Sequence, residues 1–338
     1  MSKTILEVNQ LSKHFHRNRS VFSALNRRSD TIPAVDNVSF YLRENETMGL
    51  VGESGCGKTT VGRTILRLTK PTSGSVIFDG RDITHLSDGE LRPLRKDMQL
   101  IFQDLDAGLN PKMRVQDILR EAVSVYERLS DAEVDVKSRM LLDQVNLKYS
   151  KLSSYPSELS GGEKRRVGIA RVLAVGAKMI VADEPTSALD VSIQAQVVNL
   201  LRDLQKQLGL SYLFISHDLQ VVELMSHKVA VMYLGRIVEM GLTERIASAA
   251  RHPYTYILWS SLVEKHSLEA IQTGKFDRRA AWGVFDFERP ASGCRFAPRC
   301  PVYERLGRPA ECTDPANEPQ LRDVGEGHQV ACHFPLGS

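Results

Sequence analysis

"TMGLVGESGCGKTTVGRTIL", residues 47–66, places a short apolar run, a glycine-rich turn and the start of a helical pattern side by side. Its middle, Gly52 to Thr59, fits G-x4-G-K-[ST], and the strand and helix expected on either side are the context that motif requires. The glycines let backbone N–H groups turn inward around phosphate oxygens at a helix N-terminus. Lys58 would reach the β- and γ-phosphates, and Thr59 would offer its hydroxyl to Mg²⁺. Cys56 lies inside the loop and reads as a small filler, not a nucleophile.

A second element supports the first. "KMIVADE", residues 178–184, reads as a buried strand ending in Asp183 and Glu184. An acid at a strand end beside a phosphate loop can hold Mg²⁺ through water, and a second carboxylate can polarise an attacking water. Alone, such a pair could equally be two acids entering a turn.

Around these stretches the chain alternates. "ILEVNQL" and "VDNVSFYL" read as β segments, with Val35, Val38, Phe40 and Leu42 mostly on alternate positions. The basic stretch between them reads as a loop, and "GSVIFDGRDI" as a hairpin. Residues 107–157 change character, with apolar positions at helical spacing in "VQDILREAVSVYERL" and "KSRMLLDQVNL". In "DVSIQAQVVNLLRDLQKQL" Val197, Leu200, Leu201, Leu204 and Leu208 share one helix face, with Asp190 as N-cap. "SYLFISHD" and "KVAVMYLGRIVEMG" supply further strands. Strands alternating with helices predict a doubly wound α/β core. After "HPYTYIL" the periodicity weakens, which predicts a nucleotide-binding domain over 1–257 and an extension over 258–338.

The whole chain has 338 residues, 42% hydrophobic and 25% charged, with a net charge of +3. That balance is ordinary for a folded protein and too weak to argue for nucleic acid or an anionic membrane surface. No apolar run approaches the ~20 residues of a membrane-spanning helix, and "MSKTILEVNQ" lacks a signal-peptide core. The expectation is a cytosolic chain, where structural disulfides are rare.

"YPSELSGGEKRRVGIARVL", residues 155–173, adds a serine and two glycines at the head of a basic amphipathic helix, a second anion-binding helix terminus. One nucleotide does not need two cradles from one chain. Ser160, Gly161 and Gly162 are therefore read as contacts to the γ-phosphate held by a second subunit.

At this point the sequence resembles the ATP-binding subunits of ABC transporters, over residues 5 to about 257 and with the elements in the family's order. The resemblance implies a P-loop NTPase core (ABC ATPase) with an antiparallel β subdomain and a helical subdomain over about 107–157. It makes Gly52, Glu53, Ser54, Gly55, Cys56, Gly57, Lys58, Thr59 and Thr60 the phosphate loop, and "LSGGE" the signature, with Glu163 where glutamine is more usual. It further implies that Gln103 senses Mg²⁺ and water, that Asp190 in "SALD" belongs to a loop crossing to the partner, and that His217 contacts the γ-phosphate. Phe15 sits where an aromatic stacks on adenine.

"VGESGCGKTT", "DVSIQAQVVNLL", "SYLFISHDLQVVE", "VMYLGRIVE" and "HPYTYIL" are similar to the peptide and nickel importer branch, especially dipeptide and oligopeptide permease ATPases. Leu105, Gly108 and Asn45 depart from that branch without removing a catalytic group. The implied activity is ATP hydrolysis, with Glu184 activating water and His217 holding the γ-phosphate while two subunits close head to tail. The implied partners are a second ATPase subunit, homologous but not identical, two integral-membrane permease subunits and, indirectly, a substrate-binding protein. The implied place is the cytoplasmic face of the inner membrane. An ATPase serving a cytosolic enzyme complex, as in carbon–phosphorus lyase machinery, is the alternative.

Four of the five cysteines, Cys294, Cys300, Cys312 and Cys332, gather in the tail as C-x5-C-x11-C-x19-C. Clustered thiols in a reducing compartment point to metal, although structural zinc prefers pairs two to four residues apart. The tail resembles the cysteine-bearing extension of the same importer ATPases, which implies a [4Fe–4S] cluster; zinc or unliganded thiols are the alternatives. His328 and His333 are spare candidates only.

Overall fold

The computed structural model describes residues 3–16, 31–102, 108–187, 189–260 and 293–337. Two sheets organise them. The smaller is antiparallel, in the order β2-β1-β4-β5, and is made by β1 (Thr4–His16), β2 (Thr31–Arg43), β4 (Ser73–Phe78) and β5 (Arg81–Asp82). Asp79 and Gly80, with φ of 49° and 79°, close the β4–β5 hairpin read from "GSVIFDGRDI". Positive φ at both turn positions matches the strand twist, which is why Asp-Gly serves there. β1 and β2 both run further into the basic stretch than its polarity suggests, to His16 and from Thr31.

The larger sheet contains β3 (Thr47–Val51), β6 (Met98–Ile101), β7 (Met179–Asp183), β8 (Ser211–Ile215), β9 (Lys228–Tyr233) and β10 (Arg236–Leu242). β9, β3, β8, β7 and β6 run parallel in that order. Every residue of β3, β7 and β8 is buried, as expected where both faces of a parallel sheet are covered. Alternation divides them between two cores. Met179, Val181, Leu213 and Ile215 face α1 (Lys58–Ile65) and the antiparallel sheet. Ile180, Ala182, Tyr212 and Phe214 face the other core, with α3 (Val115–Ser124), α4 (Asp131–Gln144), α5 (Gly161–Leu173) and α6 (Val191–Leu208).

On α6, Val197, Leu200, Leu201 and Leu204 are buried as the periodicity predicts, but Leu208 is exposed. Gly209 ends the helix at φ 66°, so the last turn lifts Leu208 off the core. Asn45 lies at φ 62°, a left-handed position that asparagine tolerates better than most non-glycine residues.

The chain continues through α7 (Leu219–Met225), α8 (Thr243–Ser248) and α9 (Pro253–Ser260), a helix that spans residue 257. The tail holds α10 (Pro301–Arg305) and two two-residue strands, β11 (Arg322–Asp323) and β12 (Gln329–Val330). β12 pairs with β10, Glu239 opposite Val330, so the tail extends the large sheet. Among the described residues no helix is long and apolar enough to cross a membrane.

Candidate nucleotide site

The phosphate loop leaves β3 and turns into α1 with three glycines at positive φ: Gly52 at 149°, Gly55 at 78° and Gly57 at 110°. A Cβ on Gly57 would stand 2.1 Å from the Ala34 carbonyl oxygen, so backbone approach and conformation both demand glycine there. Lys58 is buried, and its Nζ donates to the Gly52 and Glu53 carbonyls at 2.8 and 3.0 Å. The ammonium is thus folded back under its own loop, at the head of α1, where the helix dipole favours an anion.

Thr59 Oγ1 donates to Asp183 Oδ1 at 3.0 Å, joining the loop to the end of β7. Burial raises the Asp183 carboxyl above its ordinary range, and the Thr59 hydroxyl opposes that rise. A buried carboxylate beside a threonine hydroxyl offers two oxygen ligands. Those residues fit Mg²⁺. Glu184 follows at φ 50°, a left-handed conformation that costs a non-glycine residue about 1–3 kcal/mol. Its N–H donates to the Ile215 carbonyl at 2.9 Å, which fixes the turn against β8. Its carboxylate meets His217 Nδ1 at 2.9 Å. Ser54, Gly55, Lys58, Thr59, Thr60, Glu184 and His217 line one open pocket of about 540 Å³.

Other residues singled out from the sequence lie apart from this pocket. Phe15 on β1 is half-exposed, with Lys13 Nζ 5.1 Å from its ring centre. Ser160 caps α5: its Oγ accepts from the Glu163 N–H at 3.3 Å, and Glu163 accepts from the Ser160 N–H at 2.9 Å. Glutamate at that position therefore makes the reciprocal cap that glutamine would. Lys151 at 2.9 Å, with the Ser160 N–H, holds the Glu163 carboxyl below its usual range. Ser160, Gly161, Gly162 and Glu163 do not line the pocket formed by the loop of the same chain. Asp190 caps α6 as its position predicts, accepting from the Ile193 N–H at 2.9 Å. Gln103 and Leu105 lie outside the described residues.

The tail cysteines converge. Cys294, Cys300, Cys312 and Cys332 line one small cavity of about 10 Å³ together with Phe296, Val302 and His333. That is room for roughly one water, so any larger group would spread the four thiols. Burial, then the neighbouring thiols, pushes Cys312 up to about 11, and burial and those neighbours push Cys332 up to about 12. Among the described residues no group of three or more His, Cys, Asp or Glu side chains is arranged to hold a metal ion. His328 is turned away to Glu239, 2.6 Å from its Oε1, and His333 Nε2 meets the Asn317 carbonyl at 2.8 Å.

One contact has no signal in the sequence. Arg299, from the tail, donates twice to Glu53 of the phosphate loop, at 2.9 and 3.0 Å. The two residues are 246 positions apart.

The pocket joins the glycine loop to the acidic end of β7. It offers a cradle for a polyphosphate, oxygens for a divalent cation and a carboxylate beside the terminal position, the equipment of a P-loop nucleotide hydrolase. Residues 35–187 match the ABC transporter family, and residues 238–305 match the C-terminal region of oligopeptide/dipeptide transporters. The chain is 42% identical over 334 residues to the oligopeptide transport ATP-binding protein AppF of Bacillus subtilis, covering 98% of each. It is 45% identical over 333 residues to the peptide import ATP-binding protein BOV_A0347 of Brucella ovis, covering 97% of each. Among solved structures it is similar to the ATP-binding cassette MJ0796, in a dimeric post-hydrolysis state bound to ADP and Pi. The TM-score there is 0.61 at 26% identity, over 71% of this chain and 99% of that one. The chain belongs to the ATP-binding subunits of ABC transporters, in the oligopeptide/dipeptide branch, and is an ATPase of that family.

Proposed function

We propose that this chain energises the import of di- or oligopeptides by closing head to tail with a second, homologous but non-identical ATPase subunit. The observation that carries the catalytic part is the single pocket in which the glycine cradle meets Glu184 and His217. Lys58 leaves the Gly52 and Glu53 carbonyls for the β- and γ-phosphates, and Phe15 offers its exposed ring to adenine. Thr59 and Asp183, with Gln103, would hold Mg²⁺, which would supply positive charge against the developing charge of the phosphates. Glu184 accepts a proton from the attacking water, and His217, anchored by that carboxylate, holds the γ-phosphate.

Ser160, Gly161, Gly162 and Glu163 serve the partner's phosphate loop, and Asp190 lies on the crossing loop. Their separation from the pocket of their own chain supports this arrangement, as does the dimeric state named for MJ0796. A groove of about 390 Å³ runs between the end of β6 and α3, lined by Gln99, Phe102, Glu121, Tyr126 and Arg171 among others. We read it, with the helical region 107–157, as the seat of two permease subunits. The chain is then peripheral, at the cytoplasmic face of the inner membrane, and meets a substrate-binding protein only through them. Peptides as cargo follow from the names of AppF and BOV_A0347, which favour the importer over an enzyme-complex ATPase. In the tail, the four thiols around one cavity would hold a [4Fe–4S] cluster by spreading from their present positions, and the cluster would staple the segment; zinc is the other candidate.

Glu184→Gln tests the catalytic assignment. ATP affinity should stay within about threefold while turnover falls by roughly 10²–10⁴, the range for losing a general base. Undiminished hydrolysis overturns the role.

A further inference from the structure

Glu53 is the only acid in the phosphate loop, one residue from Ser54 at the wall of the nucleotide pocket. A carboxylate there repels an incoming polyphosphate unless its charge is met. It is met from the tail. Arg299 Nη2 lies 2.9 Å from Glu53 Oε1 and Nη1 3.0 Å from Oε2, a bidentate pair with both side chains largely shielded, 23% and 18% exposed.

The arginine is itself held in place. Its guanidinium lies 5.7 Å from the Tyr233 ring centre and 5.8 Å from that of Phe296, and it donates to the Tyr233 hydroxyl at 3.3 Å. The same aromatic group holds the loop a second time: the Glu53 N–H donates to Tyr254 Oη at 3.0 Å, and Tyr254 packs 5.4 Å from Phe296. Arg299 also directly precedes Cys300, and both Phe296 and Cys300 line the thiol cavity. The phosphate loop and the cysteine cavity therefore share a wall.

We propose that Arg299 is a positioning residue of the ATP site that acts through Glu53: by neutralising the Glu53 carboxylate it keeps the phosphate loop receptive to a polyphosphate. The inference rests on the assignment of that loop to ATP. It makes the tail part of the nucleotide site, although no described tail residue lines the pocket. Because Arg299 acts on the loop before and during the reaction alike, its loss should appear in ATP affinity and KM, not in kcat. A pair that merely fastened the tail would lower the melting temperature and leave ATP affinity alone.

The test uses the full chain: ATP titrations and steady-state hydrolysis for the wild type, Arg299→Gln, Glu53→Gln and the double variant, at low and high salt. Arg299→Gln should weaken ATP binding and raise KM about tenfold, the scale of one unscreened charge at this range, with kcat within about twofold. The defect should shrink at high salt. Adding Glu53→Gln should recover affinity to within about threefold of wild type, since the acid is then gone as well. An unchanged KM in Arg299→Gln, or a double variant as weak as the single, overturns the proposal. If Arg299→Gln does not fold, Glu53→Gln alone decides. With the tail cation freed, ATP affinity should rise at least twofold, and an unchanged or lower affinity overturns it. A wild-type chain that binds no ATP overturns the nucleotide assignment instead.

Discussion

At the phosphate loop the chain uses nine consecutive residues, Gly52 to Thr60, held between a buried strand and a helix. At the cysteine cavity it uses four side chains from separate turns of an irregular tail, brought together only when that tail docks. The first site is local, and its geometry is dictated by backbone: the left-handed glycines, the helix head and the close approach to Ala34. The second is non-local. Its thiols are partly or fully buried where their charged forms are disfavoured, and little regular structure supports them. A site of the first kind should survive the loss of its ligand; a site of the second kind should depend on it.

Metal removal is the sharpest way to break that contrast. Protein purified without oxygen should carry about four irons and four sulfides per chain. Stripping them should make residues 293–337 open to protease while the core keeps its ordered secondary structure. One zinc and no iron would recast the tail as a plain clip; no metal at all would end the cluster assignment.

Phe296→Ala tests whether aromatic packing or the cavity holds the tail. The ring is buried against Tyr233 at 5.3 Å, Tyr254 at 5.4 Å and His252 at 5.8 Å. Its truncation should cost about 3–5 kcal/mol of stability in a denaturant melt. A loss under about 1 kcal/mol would mean that the tail is fastened elsewhere.

The smallest effect is set by pH. His252 is fully buried and accepts the Tyr254 N–H at Nδ1, and burial drives its imidazole from 6.5 down to about 4 against the pull of Glu239. Above pH 6.5 the ring is neutral both folded and unfolded, and stability is unaffected. Between 6.5 and about 4 the unfolded chain takes up a proton that the folded chain refuses. Stability therefore falls as pH drops through that window, by about 3 kcal/mol at its lower end. Melting curves of the wild type and His252→Asn from pH 7 to 4.5 should differ in slope, and parallel curves would remove His252 as the cause.

The contrast also explains what could be read in advance. The loop, the strand ending at Asp183, the Asp190 cap and the Asp79-Gly80 hairpin each follow from residues within a few positions of one another, so local chemistry fixes them. Leu208 misled because periodicity puts it on the apolar face, whereas as the last helical residue before Gly209 it stands exposed. β12 has only two residues and no alternation to detect, and its partner Glu239 lies in a strand that reads as complete without it. The grip of Arg299 on Glu53 depends wholly on how the tail docks. An arginine beside a cysteine carries no mark of that destination.

The short pairing of β12 with β10 also has a colloidal consequence. β10, antiparallel to β9, would otherwise end the large sheet with a free row of N–H and C=O groups along its outer side, a template for strands of other molecules. The tail occupies that row, with the Ala331 N–H donating to the Val238 carbonyl at 2.8 Å. A chain cut back to residue 257 would keep every described group that lines its nucleotide pocket and still expose a sticky border. It should therefore precipitate or self-associate where the full-length chain stays dispersed.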